Sequence, residues 1–374
     1  MPDRPDYRTL RENTPFAWSV AAFHESLVKL TGTPLREVFL SPPACIEVYR
    51  KGRPLARELF GPDVALPGVS TPPISYGHAN TLGCKLVFPE GGEVGHEPVY
   101  ASLAEGVEAL KKDVDFAASG LAGFYLDFHR QLQQAFPGEP VEFSYGDEGP
   151  LTSAYVVRGD GFFYDLMDQP QAMRQFLGLL TDSIVRFRHF RLGVTGQPPI
   201  SPDSAGLCDD IAAMVPPAQF PELVLPFWER YFQGLTTGRR VAHVEDLSRD
   251  HLRYLEEIGL SHYDPSISAK LNPKTIAAGC RVPFGWRLGS FHYRGLSAQD
   301  VRDFVFQAAA DGASRVFTLI EGCMCDRDHV PKVHAFIDSA REAQRMLEAG
   351  ASRGDVGRCV SQSGRRKFWE HWTK

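Results

Sequence analysis

The sequence predicts an α/β fold, a TIM (β/α)8 barrel with an N-terminal helical extension. In the second half of the chain, short apolar runs alternate with amphipathic helical patterns at intervals of about 20 to 35 residues, the pattern of parallel βαβ units. Each apolar run is followed by polar residues, so that packed strand, functional loop and outer helix recur in that order. No run leads into a glycine-rich phosphate loop: neither G-x-G-x-x-G nor a Walker A sequence occurs. A doubly wound nucleotide-binding sheet is therefore the weaker alternative. The 374 residues fit one barrel, expected over residues 36–350, between a helical arm (1–35) and a C-terminal tail (351–374).

In chain order, Phe16, Val20, Phe23, Leu27 and Leu30 recur at helical spacing up to Gly32, and define the arm. Residues 34–95 are rich in Pro and Gly; they read as an irregular substrate-side lid with strand-like pieces at Val38-Phe-Leu and Lys85-Leu-Val-Phe. Ser102 to Phe136 is helical with a break at Gly120, and Val141 to Tyr145 is a strand opening into the polar loop Gly146-Asp-Glu-Gly-Pro. Asp168 and Pro170 suit the cap and first turn of a long helix whose apolar face is Met173, Phe176, Leu177, Leu180, Ile184 and Phe187. Leu207-Cys-Asp-Asp looks like a strand end, and Val215-Pro-Pro starts a helix through Tyr231. Strands follow at 240–244, 261–264, 281–288 and 315–321, with helices at 248–258, 297–310 and 330–348; Ser297 and Asp300 suit a capping box.

Composition narrows the class. With 43% hydrophobic and 23% charged residues the chain is of ordinary globular type. A net charge of −6 and a single basic cluster, Arg365-Arg366-Lys367, argue against nucleic acid as a partner and suggest a solvated tail. No apolar run approaches the ~20 residues of a membrane span. The charged start Met1-Pro-Asp-Arg does not resemble a signal peptide, so a cytoplasmic protein is expected. Seven thinly spread cysteines are not a disulfide framework, and five of them need only packing as an explanation. Cys323 and Cys325 differ, lying two apart in an acidic loop after a strand.

Four groups could carry chemistry. In Arg240-Val-Ala-His-Val-Glu-Asp-Leu, His243 and Glu245 stand two apart at a strand end and share one side. With Cys323 they make an imidazole, carboxylate and thiolate set suited to zinc with an open fourth position. The alternative is a core histidine bonded to Glu245 and an inert buried cysteine. Paired acids, Asp147 with Glu148 and Asp209 with Asp210, suit substrate cations or acid/base work, or else a helix cap and a solvated partner. His262-Tyr263-Asp264, ending the next strand, suits a supporting or substrate-contacting role beside the first group, or a satisfied buried cluster. Trp286 to Arg294, including His292, offers aromatics and cations for an acidic or aromatic substrate, or plain rim packing.

These segments together resemble the uroporphyrinogen decarboxylase superfamily over about residues 80–345, including the cobamide-dependent methyltransferases that share its barrel. Gly149-Pro-Leu-Thr-Ser-Ala-Tyr-Val-Val-Arg-Gly is similar to the family's GPFT…RG segment, and Phe163-Tyr-Asp-Leu-Met-Asp-Gln-Pro to its DLYDDPE helix start. Asp209-Asp-Ile-Ala with Pro216-Pro-Ala-Gln-Phe-Pro-Glu resembles DDIA…SPEMF. Val241-Ala-His-Val-Glu-Asp resembles the H-x-C-G motif, and Gly322-Cys-Met-Cys-Asp resembles GCG…D. In the methyltransferase branch H-x-C…C holds zinc. The resemblance thus implies His243 and Cys323 as ligands, Glu245 in place of the middle cysteine, and Cys325 as a substitute or addition.

The resemblance further implies a zinc-dependent methyltransferase with Glu245 and Asp264 catalytic and Glu148, Asp210, His262 and His292 binding substrate. The substrate would be a small methyl donor or a thiol acceptor. A corrinoid (cobalamin) would come on a partner protein, because this chain has no D-x-H-x-x-G signature of its own. True uroporphyrinogen decarboxylases carry an arginine-rich N-terminal segment that Val38 to Arg53 matches only faintly. A metal-free lyase acting on a carboxylated substrate is the second expectation, and a catalytically silent binding subunit the third.

Overall fold

The computed structural model describes residues 4–371 of the chain. It forms two compact units, one of residues 1–33, 47–67 and 243–374 and the other of residues 34–46 and 68–242. Among the described residues the strands are β1 (Ala17–Ala22), β2 (Val69–Ser70), β3 (Lys85–Val87), β4 (Gly95–Glu97), β5 (Val141–Glu142), β6 (Ser204–Cys208), β7 (Arg239–His243), β8 (Leu260–Asp264), β9 (Gly285–Arg287) and β10 (Arg315–Ile320).

In the first unit β1, β10 and β9 pair in parallel, in register from Ala17 opposite Arg315 to Ala22 opposite Ile320. Parallel bridges at Ala21 with Ala65 and at Tyr263 with Phe284 add a further segment on one side and β8 on the other. Parallel neighbours bring the C-terminal ends of β1, β8, β9 and β10 to one edge. In the second unit β2 pairs with β5 in parallel, Ile74 bridges Tyr145, β3 and β4 form an antiparallel pair, and β6 lies beside β7. The α/β class and the parallel strands agree with expectation. A closed ladder of eight strands does not form among the described residues. Strands of two to six residues make few ladder bonds, and β5 and β9 keep only part of the 141–145 and 281–288 runs.

The arm is not purely helical. Residues 17–22 are a strand, and only His24–Thr31 after it is a helix, closed by Gly32 at φ 69°. Phe16 and Val20 lie four apart, a spacing that a period of two satisfies as well as a helical turn does. Residues 34–95 are far from irregular. Helices run Leu35–Leu40, which includes the Val38-Phe-Leu read as a strand, and Pro42–Phe60. In the longer one Cys45, Val48, Tyr49, Ala56 and Phe60 are buried at helical spacing. Pro42 and Pro43 sit in the first turn, where the missing N–H costs nothing. Asp168 ends the helix Gly161–Asp168 and caps nothing; Gln169 precedes the helix Pro170–Val194, whose expected apolar face is buried throughout.

The C-terminal tail is folded. It forms helices Arg353–Gly357 and Gln362–His371. The buried Asp303 carboxylate accepts from the Ser361 amide at 2.9 Å and from its hydroxyl, and Lys367 pairs with Asp300 at 3.0 Å. Of the five cysteines expected to be packed, Cys45, Cys84 and Cys280 are buried, whereas Cys208 and Cys359 are exposed. The capping box forms as read: Ser297 Oγ accepts from the Asp300 amide at 3.1 Å and Asp300 Oδ2 accepts from Ser297 N at 2.8 Å. Ser297→Ala is expected to cost about 1 kcal/mol, read as a lower urea midpoint at unchanged slope. Among the described residues, no helix is long and apolar enough to cross a membrane.

Candidate functional site

At the edge where the first unit's parallel strands end, a polar network is built from consecutive strand ends. His243 closes β7 and Glu245 follows two residues on. The two share a side, with His243 Nε2 3.8 Å from Glu245 Oε1. Asp264 closes β8, and its Oδ2 accepts from His243 Nδ1 at 3.0 Å. Burial works against ionising Asp264. The hydrogen bond and charge of His243, the Ser266 amide at 2.8 Å and the nearby His262 outweigh it, and hold its carboxyl below the usual range. Ser266 itself sits at φ 49° and Asp246 at φ 56°, left-handed conformations that cost a non-glycine residue energy and cluster at functional sites. Asp246 Oδ1 accepts from the Ala269 amide at 2.7 Å and from Ser268 Oγ at 3.2 Å, tying the two loops together.

The network continues through β9 and β10. Arg287 at the end of β9 reaches Ser266 Oγ at 3.5 Å and donates to Glu321 Oε1 at 2.9 Å. Ser290 donates to the other Glu321 oxygen at 2.5 Å. Glu245, His243, Asp264, Ser266, Arg287, Glu321 and Ser290 thus form one chain of contacts over four strand ends. Of these, sequence reading missed Ser266, Arg287, Ser290 and Glu321. Arg287 lies inside the aromatic segment singled out, but nothing in the spacing marks its link to Glu321.

His262 stands two residues before Asp264 on β8, and both are half-buried. Its neutral ring is favoured by burial, against the pull of Asp264. His292 stands apart from the network, in the short helix His292–Gly295, against the Phe291 ring at 4.2 Å. Burial lowers its pKa. Cys323 occupies the 3-10 turn Gly322–Met324, half exposed, and Cys325 Sγ donates to the Ser26 and Glu321 carbonyls at 3.7 and 3.8 Å. Burial pushes the Cys325 thiol up to about 11, with Asp326 and Cys323 adding to it, so it is a poor thiolate.

Among the described residues no three His, Cys, Asp or Glu side chains converge on a metal-sized centre. The expected set of His243, Glu245 and Cys323 is therefore not assembled as it stands. His243 at the end of β7 and Glu245 in the turn just beyond it come within 3.8 Å, but the thiolate depends on a second turn whose conformation spacing does not determine. The pair that is present suits a divalent metal in its chemistry: a carboxylate fixes the imidazole from behind and a second carboxylate stands across from it.

The second unit holds the acidic pairs. Asp147 is paired with Arg191 at 2.5 Å and Arg188 at 3.4 Å. Burial opposes its ionisation, but the two guanidinium groups hold its carboxyl below the usual range. Asp209 is wholly buried and accepts from the Leu151 and Thr152 amides at 3.3 and 2.7 Å, in the first turn of the helix Pro150–Arg158, and from Trp228 Nε1 at 2.7 Å. Burial pushes it up to about 6 against those donors. A Cβ on Gly149 would lie 2.5 Å from the Asp209 Cβ, so only glycine permits this approach.

Glu148 is pushed up to about 8, by burial first and then by Asp210 and Asp147, although Ser75 donates to it. Tyr76 feels Glu148 and Asp210 in turn, after burial, and its hydroxyl is raised. Glu148, Asp210 and Tyr76 thus make one acidic cluster in which burial and the neighbouring carboxylates favour the protonated form of Glu148. Asp209 bonds the first turn of the distant helix Pro150–Arg158 rather than capping its own turn, where its side chain makes no cap bond; Glu148 and Asp210 lie in one acidic cluster.

An α/β chain with polar residues gathered at parallel strand ends has the layout of a barrel-type enzyme. The model of the uroporphyrinogen decarboxylase (URO-D) family matches residues 35–278, and the chain belongs to that family. A methyltransferase from Methanosarcina mazei shares its fold, with a TM-score of 0.64 at 15% sequence identity over 90% of this chain and 97% of that one. No curated protein sequence matches the chain.

Proposed function

We propose that this protein is a methyltransferase that moves a methyl group between a small methylated molecule or a thiol and a corrinoid carried by a separate protein, in the cytoplasm. We read its short parallel strands, with β1 of the N-terminal arm among them, as parts of a (β/α)8 barrel. The observation that carries the proposal is His243, held at Nδ1 by Asp264 at 3.0 Å with Nε2 turned to Glu245 at 3.8 Å. His243 and Glu245 would hold a zinc ion, with Cys323 as third donor if its turn swings in. When bound, zinc would polarise the methyl-bearing heteroatom or stabilise a thiolate.

The chain's own groups supply the rest. Asp264 keeps the His243 ring in one tautomer and one orientation. In the second unit, Glu148, whose protonated form burial favours, is a candidate to offer a hydrogen bond or a proton to an oxygen of a ligand bound in that unit, with Asp210 beside it. His262 and His292, both favoured neutral by burial, are available as acceptors toward substrate. A second reading, metal-free decarboxylation, draws on the family match.

Elemental analysis of protein purified without added metal tests the proposal. About one zinc per chain is expected in the wild type, absent from His243→Ala and retained in Cys325→Ala; Cys323→Ala decides whether the thiolate joins. Asp264→Asn is expected to weaken zinc about 10- to 100-fold, because the ring loses its anionic partner. Wild-type protein that takes up no zinc even when supplied overturns the methyltransferase reading. Decarboxylation without metal would then establish the lyase, and a stable protein complex without turnover a binding subunit.

A further inference from the structure

A pocket of about 380 Å³ opens within the first unit, between the loop after β8, the end of β9, the helix Ala298–Ala310 and the C-terminal helix. Its walls are largely aromatic and aliphatic: Trp286, Phe291, Phe304 and Phe368 with Leu288 and Leu296. Phe291, 55% exposed, is the most open of these apolar walls. Two lining residues carry a buried nitrogen with no hydrogen-bond partner, Arg287 Nε and His292 Nδ1. Neither nitrogen is open to a water-sized molecule in this structure, so a partner in the pocket reaches one only when its side chain turns; a buried unpaired polar group costs free energy, which favours that turn once an acceptor is present. The cations on its walls are already balanced, Lys367 by Asp300 and Arg287 by Glu321, so the missing partner is an acceptor rather than a full charge.

We propose that this pocket binds a small, flat, apolar ring compound bearing one neutral hydrogen-bond acceptor, its ring among Trp286, Phe304 and Phe368 and its acceptor toward Arg287 Nε–H. The volume suits a single substituted ring, and apolar walls with few placed polar groups are the usual make-up of a small-molecule site. Arg287 also bonds Glu321 and Ser266 in the strand-end network, so occupancy bears on the residue that links the pocket to His243. The site needs neither zinc nor methyl transfer.

Acetophenone and ethylbenzene, which share the ring and differ by the carbonyl oxygen, test this by calorimetry and by ligand-observed NMR on the full chain. Acetophenone is expected to bind at one site, roughly 3- to 10-fold tighter than ethylbenzene. Leu296→Trp, which fills the cavity from a half-exposed position, is expected to weaken it at least about 10-fold with the melting temperature kept. His292→Phe, which removes the second nitrogen but leaves Arg287, is expected to keep the preference for acetophenone. Equal affinity for the two compounds, no binding of either, or binding unchanged in Leu296→Trp overturns the proposal. Zinc content measured on the same Leu296→Trp sample reports on the methyltransferase reading alone, so the two can fail separately.

Discussion

Asp209→Ala is expected to destabilise the protein by about 3 kcal/mol. The carboxylate is wholly buried and is the shared acceptor for the Leu151 and Thr152 amides and the Trp228 indole. Alanine would leave three buried donors without a partner, each worth roughly 1 kcal/mol or more, and would strip the helix Pro150–Arg158 of the anion at its positive end. Part of the loss is returned, because burial makes the charge itself unfavourable and raises Asp209 to about 6. Asp209→Asn keeps one carbonyl oxygen at the same place, so it is expected to lose about half as much. Urea titrations at pH 7 give the comparison. An alanine variant within about 0.5 kcal/mol of wild type would mean that the three donors find other partners and that Asp209 is not the local anchor.

The same residue shows how far the sequence could be read. Asp209-Asp210 stood out as a pair, and a capping role was one of its two readings. That the capped helix begins 59 residues earlier could not be read from spacing, because the contact spans the fold. Elements with one unambiguous period were legible: the apolar face of Pro170–Val194, the Ser297 and Asp300 box, and the His243 and Glu245 side of β7. Where a pattern served two periods, as at Phe16 and Val20, the strand was taken for a helix. In Pro42–Phe60 the prolines masked a helix whose buried face is regular. The candidate site divides along the same line. His243 and Glu245, two apart at a strand end, were read as sharing a side, and His243 Nε2 lies 3.8 Å from Glu245 Oε1. The tie from Asp264 through Ser266 and Arg287 to Glu321 runs across three strand ends, and its register depends on pairing that no local pattern carries. Cys323 sits in a turn, where a spacing argument gives no direction for the side chain.

Glu148→Gln is expected to stabilise the protein at pH 8 by roughly 1 to 3 kcal/mol while changing it little at pH 5. Burial, with Asp210 and Asp147 adding to it, raises Glu148 to about 8 from an ordinary value of 4.5. The folded chain therefore holds a proton that the unfolded chain has released. Below the unfolded value both states are protonated and the group contributes no difference. As pH climbs from there toward 8 the unfolded state gains by ionising, so stability falls with rising pH across that window and the full cost is present above it. Glutamine keeps the shape, cannot ionise, and removes this slope. Asp209, raised to about 6, adds a slope of the same sign below pH 6 in both proteins, so it cancels in the difference. Melting curves from pH 5 to pH 8 should show the variant and the wild type diverging steadily. Coincident curves would mean that Glu148 ionises normally, and the proton it is proposed to offer a ligand oxygen at neutral pH would be absent. With divergent curves, loss of turnover in Glu148→Gln on a well-folded protein would place that proton in the reaction, while retained turnover would leave Glu148 as a hydrogen-bond donor that glutamine replaces.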